Sequence, residues 1–200
     1  MSHRAAGPPS EANAGAPRRE GRPVRRELLS ALLLGALMPQ RGFAQGALAR
    51  PPALTLVEPG RIDSAPLFNG TYVDLDNRAA RLARPAGRGL IANFWARWCG
   101  PCKVEIPELA ALHARRTGVD VLGINIEADP APVRDFARAY EIDYPVLLAR
   151  EPLAMMRALG NQRAGLPFTV VLDRRGSVVA LRLGVLAGEQ LEAATRLALA

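Results

Sequence analysis

The run GLIANFW at 89–95 is followed, after three intervening residues, by the only two cysteines of this 200-residue chain, Cys99 and Cys102. A run with no polar face suits a strand covered on both sides, as in a sheet sandwiched between helices. The segments around it alternate in the same sense. TYVDL (71–75), VDVLGINI (119–126), YPVLLA (144–149) and FTVVLD (168–173) have strand character. The stretch from the cysteines to about Thr117, with Gly118 as its stop, has helical character. So do 129–140, with Asp129 as cap, and 151–160, closed by Gly160. DRRG turns into SVVALRL (177–183), and GEQLEAATRLALA ends the chain as a helix. The fold class expected is α/β, a sandwich of helices around a mixed sheet.

The length allows one ordinary domain and a tail. The formal charge of +7 invites a nucleic-acid reading, but it is unevenly spread. Residues 1–50 carry eight arginines against three glutamates, and residues 51–200 carry eighteen basic against sixteen acidic side chains. The body is nearly neutral and has no basic stripe interleaved with aromatics, so nucleic acid is not an expected partner.

Residues 1–24 are rich in Pro, Gly, Ala and Arg without apolar periodicity, and are expected to form a disordered leader. Arg25 and Arg26 then precede the apolar run Leu28–Met38, which ends at Pro39 and leads to Gly42 and Ala44. Such a run rises only about 16 Å as a helix, against a bilayer core of about 30 Å. Residues 25–44 therefore read as a secretory signal, with cleavage expected after Ala44; an uncleaved N-terminal anchor is the alternative. A translation start at Val24 would give that signal its ordinary proportions. Residues 45–60, with Pro51, Pro52 and Pro59, read as a linker, and 61–200 as the folded domain.

Two cysteines at i and i+3, at the opening of a helix, lie one turn apart and can form a disulfide. Cys99 faces the free N–H groups and positive dipole end of the helix, which favour a thiolate. It is thus the expected nucleophile, and Cys102, one turn inside, the resolving thiol. Pro101 sits where a missing N–H costs little. A zinc site needs four ligands, and the chain offers only His3 and His113 besides the cysteines. A purely structural disulfide would close so short a loop that it would stabilise little. A redox dithiol accounts best for the pair.

NFWARWCGPCKVEIPEL, together with GLPFTVVLD about 65 residues later, resembles the thioredoxin superfamily, and more closely its TlpA/ResA/CcmG-type thiol-disulfide oxidoreductases, over about residues 65–200. The resemblance implies a thioredoxin-like three-layer α/β/α sandwich with a helix-strand insert, supplied by residues 129–148. Asn93, where ordinary thioredoxins carry a buried aspartate, and Glu105 favour this group. Glu105 falls on the helix face of Cys102, where a carboxylate can relay a proton and, as an anion, raise the thiol pKa values; a solvated helical glutamate is the plainer reading. Pro167 takes the place of the superfamily's cis-proline, with Leu166 before it shaping selectivity. Trp98, Gly100, Pro101, Leu166 and Pro167 together form the substrate-binding surface that the resemblance implies. Phe168 departs from the small or polar residue often found after that proline.

The function expected is an exported, periplasmic reductase of protein disulfides, monomeric, with no cofactor or metal, recharged by a membrane thiol donor. The resemblance suggests apocytochrome c or copper-delivery proteins as substrates. A Cu(I)-binding chaperone of the same fold and a thiol peroxidase of the superfamily are the alternatives; the first is disfavoured by the lack of any histidine after His113, the second by the placement of both cysteines in one exchange motif.

Overall fold

The computed structural model describes residues 53–200. The expected leader at 1–24, the signal or anchor at 25–44 and the first part of the linker lie outside the described residues. In chain order the elements are β1 (Thr55–Leu56), α1 (Ala65–Phe68), β2 (Tyr72–Val73), β3 (Ala79–Ala80), β4 (Gly89–Trp95), α2 (Gly100–Ala114) and β5 (Val119–Asn125). There follow α3 (Pro130–Ala139), β6 (Val146–Ala149), α4 (Pro152–Ala158), β7 (Phe168–Leu172), β8 (Val178–Leu183) and α5 (Glu189–Ala198).

The strands form one eight-stranded mixed sheet in the order β1-β8-β7-β4-β5-β6-β2-β3. The β4, β5 and β6 strands run parallel, and β7 pairs antiparallel with β4. Every residue of β4 is buried, as a strand between two helical layers requires. Its side chains alternate between the layers. Ile91 and Trp95 join a core with Ile106, Leu109 and Leu112 of α2, Val133 of α3 and Leu191 of α5. Leu90, Ala92 and Phe94 join a second core with Leu67 of α1 and Met155 and Met156 of α4. Fully burying side chains of this size contributes about 1.5–3 kcal/mol each. Gly89 is required where α5 crosses β4, because a Cβ there would run into the backbone of Ala198.

The insert forms as expected. The Asp129 carboxylate accepts from the Ala131 N–H at 3.0 Å to cap α3, and β6 extends the parallel part of the sheet. Two expectations need correction. The helix after the cysteines ends at Ala114 rather than near Thr117, because Arg116 already adopts φ 50° and begins the turn that Gly118 completes at φ 88°. Thr55 and Leu56, inside the stretch read as linker, pair with Leu181 and Ala180 and cover the open edge of β8.

Candidate active site

β4 delivers the chain to the top of the sheet, and a short loop turns it into α2. That loop is held from the neighbouring strand. Glu127, just past β5, accepts from the Arg97 N–H at 2.7 Å and pairs with its guanidinium at 2.9 Å. Asn125 in turn accepts from the Glu127 N–H at 2.8 Å. Cys99 is the N-cap of α2, with extended backbone (φ −80°, ψ 102°), and its sulfur accepts from the Cys102 N–H at 3.2 Å. Sulfur thus occupies the capping place usually filled by a serine, threonine or aspartate oxygen, where the free N–H groups of the first turn converge.

Cys99 and Cys102 are joined as a disulfide, with Cα atoms 5.3 Å apart. The two sulfur positions are unequal: Cys99 is 5% exposed and Cys102 fully buried. Trp98 stands 68% exposed beside Cys99, and Pro101 is exposed. Beyond its chain neighbours and its own helix, nothing lies within 4 Å of where a Cβ on Gly100 would sit, so this position opens onto free space. Lys103 turns its ammonium toward the Phe136 ring, 5.8 Å from the centroid.

Just before β7, the Leu166-Pro167 peptide is cis and Pro167 is buried. Leu166, half-buried, packs against the core that contains both cysteines. The loop before it is fixed by the buried Asn161, whose side-chain amide donates to the Gly165 carbonyl at 2.8 Å and accepts from the Gly165 N–H at 3.2 Å. The Pro167 carbonyl accepts from the Gly184 N–H at 2.8 Å, which ties the loop to the turn after β8. Trp98, Cys99, Gly100, Pro101 and Cys102 thus lie at the mouth of α2, and because Phe168 pairs with Phe94, Leu166 and Pro167 lie at the same end of the sheet.

Glu105 is fully buried, not solvated. One carboxylate oxygen accepts from Asn93 Nδ2 at 2.7 Å and the other from the Leu186 N–H at 2.8 Å. Asn93 also donates to Thr169 Oγ1 at 3.0 Å. Burial pushes the Glu105 carboxyl up to about 7; the Leu186 N–H, the Asn93 amide and the Arg182 cation act in the opposite direction. Burial, with the charges of Glu105 and Asp143 adding to it, also raises the Tyr144 phenol. A carboxyl poised near neutrality, one helical turn from Cys102, can hold or release a proton under physiological conditions.

Sequence reasoning missed Glu127, Thr169, Arg182 and the Leu186 N–H. Two signals were available. Glu127 follows the carboxyl end of a parallel strand, the place where α/β sheets carry their sites. Arg182 occupies an inward position of an alternating strand, between buried Ala180 and the turn.

Among the described residues, no cluster of three or more His, Cys, Asp or Glu side chains is placed to hold a metal ion. No helix of the described residues is long and apolar enough to cross a membrane.

Comparison with known proteins agrees with this architecture. The Redoxin family matches residues 62–197. The thiol-disulfide oxidoreductase ResA of Geobacillus thermodenitrificans (strain NG80-2) is 30% identical over 121 residues, covering 60% of this chain and 68% of that protein. Among solved structures, a thiol:disulfide interchange protein of the thioredoxin family from Chlorobium tepidum TLS superposes with a TM-score of 0.55 at 24% identity, covering 76% of this chain and 99% of the other. A secreted thiol-disulfide isomerase from Corynebacterium glutamicum gives a TM-score of 0.59 at 22% identity, covering 75% and 94%. With a dithiol at the mouth of a helix, a buried glutamate behind it and a family match across most of its length, the chain belongs to the Redoxin family, in the ResA/CcmG-type group of the thioredoxin superfamily.

Proposed function

We propose that this protein is an exported thiol-disulfide oxidoreductase that reduces disulfides in periplasmic partners and is recharged by a membrane thiol donor. The observation that carries the reading is the unequal placement of the two cysteines: Cys99, 5% exposed, caps the mouth of the helix, and Cys102 is fully buried one turn inside. The Cys99 thiolate attacks a partner disulfide, forms a mixed disulfide and expels one partner thiolate. Cys102 gives up its proton, Glu105 receiving it, and attacks the Cys99 sulfur. The second partner thiolate leaves, and the Cys99–Cys102 disulfide forms. Two electrons pass to the partner, and a dithiol donor returns them.

Trp98, Gly100, Pro101, Leu166 and Pro167 form the docking surface for an extended partner segment. Its apolar character suits an unfolded or loop-borne Cys-x-x-Cys site better than a folded, charged surface. Apocytochrome c, with its Cys-x-x-Cys-His haem site, and copper-delivery proteins are the substrates that fit. Export is supported by the Arg25-Arg26 pair, the Leu28–Met38 run and Ala44.

The substrate reading is tested by mixing the reduced protein with an oxidised peptide containing Cys-x-x-Cys-His and following the appearance of peptide thiols. Reduction of this peptide at least about tenfold faster than reduction of insulin is expected, a discrimination of about 1.4 kcal/mol. Equal rates would contradict a haem-site substrate. Net oxidation of the reduced peptide by the disulfide form, taken to completion, would contradict the direction of electron flow.

A further inference from the structure

The side chains beneath Glu105 form a row that crosses three strands. Asn93 of β4 lies opposite Thr169 of β7, and Thr169 lies opposite Arg182 of β8. Arg182 is only 5% exposed, and a buried guanidinium is costly unless hydrogen bonds and an anion compensate it. Its Nε donates to the Val185 carbonyl at 3.0 Å. The other end of that same peptide unit, the Leu186 N–H, donates to Glu105 at 2.8 Å. A cation on the carbonyl oxygen polarises the peptide and strengthens its N–H as a donor toward the carboxylate. The turn that carries this peptide starts at Gly184, which is bonded to Pro167 of the docking loop.

We infer that Arg182 is a positioning residue which, through the Val185–Leu186 peptide unit, sets the ionisation of Glu105 and thereby the pH dependence of dithiol exchange. The inference rests on the reading of Glu105 as the proton carrier for Cys102. The titratable and charged groups that bear on Glu105 are Arg182 from β8, Tyr144 from the segment before β6, and Cys99 and Cys102 on its own helix. Arg182 is the cation of that set. It favours the carboxylate both directly and through the peptide, in opposition to burial. Without it, Glu105 would keep only neutral donors in a dry site, and its proton would leave at higher pH.

The test is the pH profile of reduction of the oxidised Cys-x-x-Cys-His peptide by the reduced full-length protein. Six proteins are compared: wild type, Arg182→Met, Arg182→Lys, Glu105→Gln and the double variants Arg182→Met/Glu105→Gln and Arg182→Lys/Glu105→Gln. Arg182→Met should move the acid limb alkaline by about one pH unit. Arg182→Lys keeps a charge but loses the Nε bond to Val185, and should fall between wild type and Arg182→Met. In the Glu105→Gln background, Arg182→Met should leave the profile unmoved. Should Arg182→Met not fold, the Arg182→Lys shift, alone and over Glu105→Gln, carries the same comparison. An equal shift in both backgrounds, or no shift at Arg182 while Glu105→Gln itself changes the profile, would overturn the role of Arg182 alone. A Glu105→Gln profile identical to wild type would overturn the proton-carrier reading, and the Arg182 inference with it.

Discussion

Mixed with a disulfide-bearing partner, a Cys102→Ala protein will stop at the mixed disulfide and accumulate as a covalent complex through Cys99, whereas Cys99→Ala will form no complex and will lose exchange by roughly three orders of magnitude or more. The asymmetry follows from where the two sulfurs sit. Cys99 caps the mouth of the helix next to exposed Trp98 and keeps 5% exposure, so it is the cysteine a partner meets first. Cys102 is fully buried, so it meets a partner only after Cys99 has brought that partner in. Removing Cys102 deletes the intramolecular thiol that resolves the complex and leaves the attacking thiol in place. The fold should tolerate the change, because loss of one buried sulfur leaves a small cavity that costs about 1 kcal/mol. Non-reducing electrophoresis with peptide mapping distinguishes the cases. A stable complex through Cys102 in Cys99→Ala would reverse the assigned roles.

The second large effect concerns stability. Folding raises the Glu105 carboxyl from 4.5 to about 7 because it is buried. The native state therefore holds this proton more tightly than the unfolded chain. Below pH 4.5 both states are protonated and the group contributes no pH dependence. Between 4.5 and 7 the unfolded chain ionises freely while the native state does not, so native stability falls as pH rises; above 7 the loss levels off. The full loss is about 3 kcal/mol, most of it between pH 5 and pH 8. Glu105→Gln removes this titration. Its amide can still accept from the Leu186 N–H and can donate to Asn93 Oδ1, which has no hydrogen-bond partner beside Glu105, if the Asn93 amide turns over. Denaturant unfolding of the two oxidised proteins at pH 5 and pH 8 measures the difference. The variant should gain about 2–3 kcal/mol on wild type across that range. A difference that does not change with pH would show a carboxyl that titrates as it does in water.

Much of this site was legible in the chain because it is built from local order. GLIANFW maps onto β4 residue for residue, a seven-residue run buried on both faces as a doubly covered strand requires. Asp129 caps α3 as its side-chain chemistry requires. The cysteine spacing placed one sulfur at a helix mouth and the other within the first turn.

What was not legible depends on contacts distant in sequence. Two-residue strands such as Thr55–Leu56 and Ala79–Ala80 are too short to show a period, and only the strand edge they cover calls them into being. The burial of Glu105 is set by Asn93, Thr169, Arg182 and the turn at Leu186, which converge from three strands and a loop. A helical glutamate at that spacing looks the same in sequence whether it faces water or a dry interior. Arg182 was missed as well: it takes an inward position of an alternating strand, where local preference yields to the site.

Dithiol exchange of this kind turns on one property, the unequal reach of the two thiols. Alkylation of the reduced protein with iodoacetamide, quenched at intervals and mapped by mass spectrometry, measures it directly. Cys99 should be modified at least about tenfold faster than Cys102, in keeping with a thiolate at a helix mouth in front of a shielded thiol. Equal rates at the two positions, or faster modification of Cys102, would contradict it.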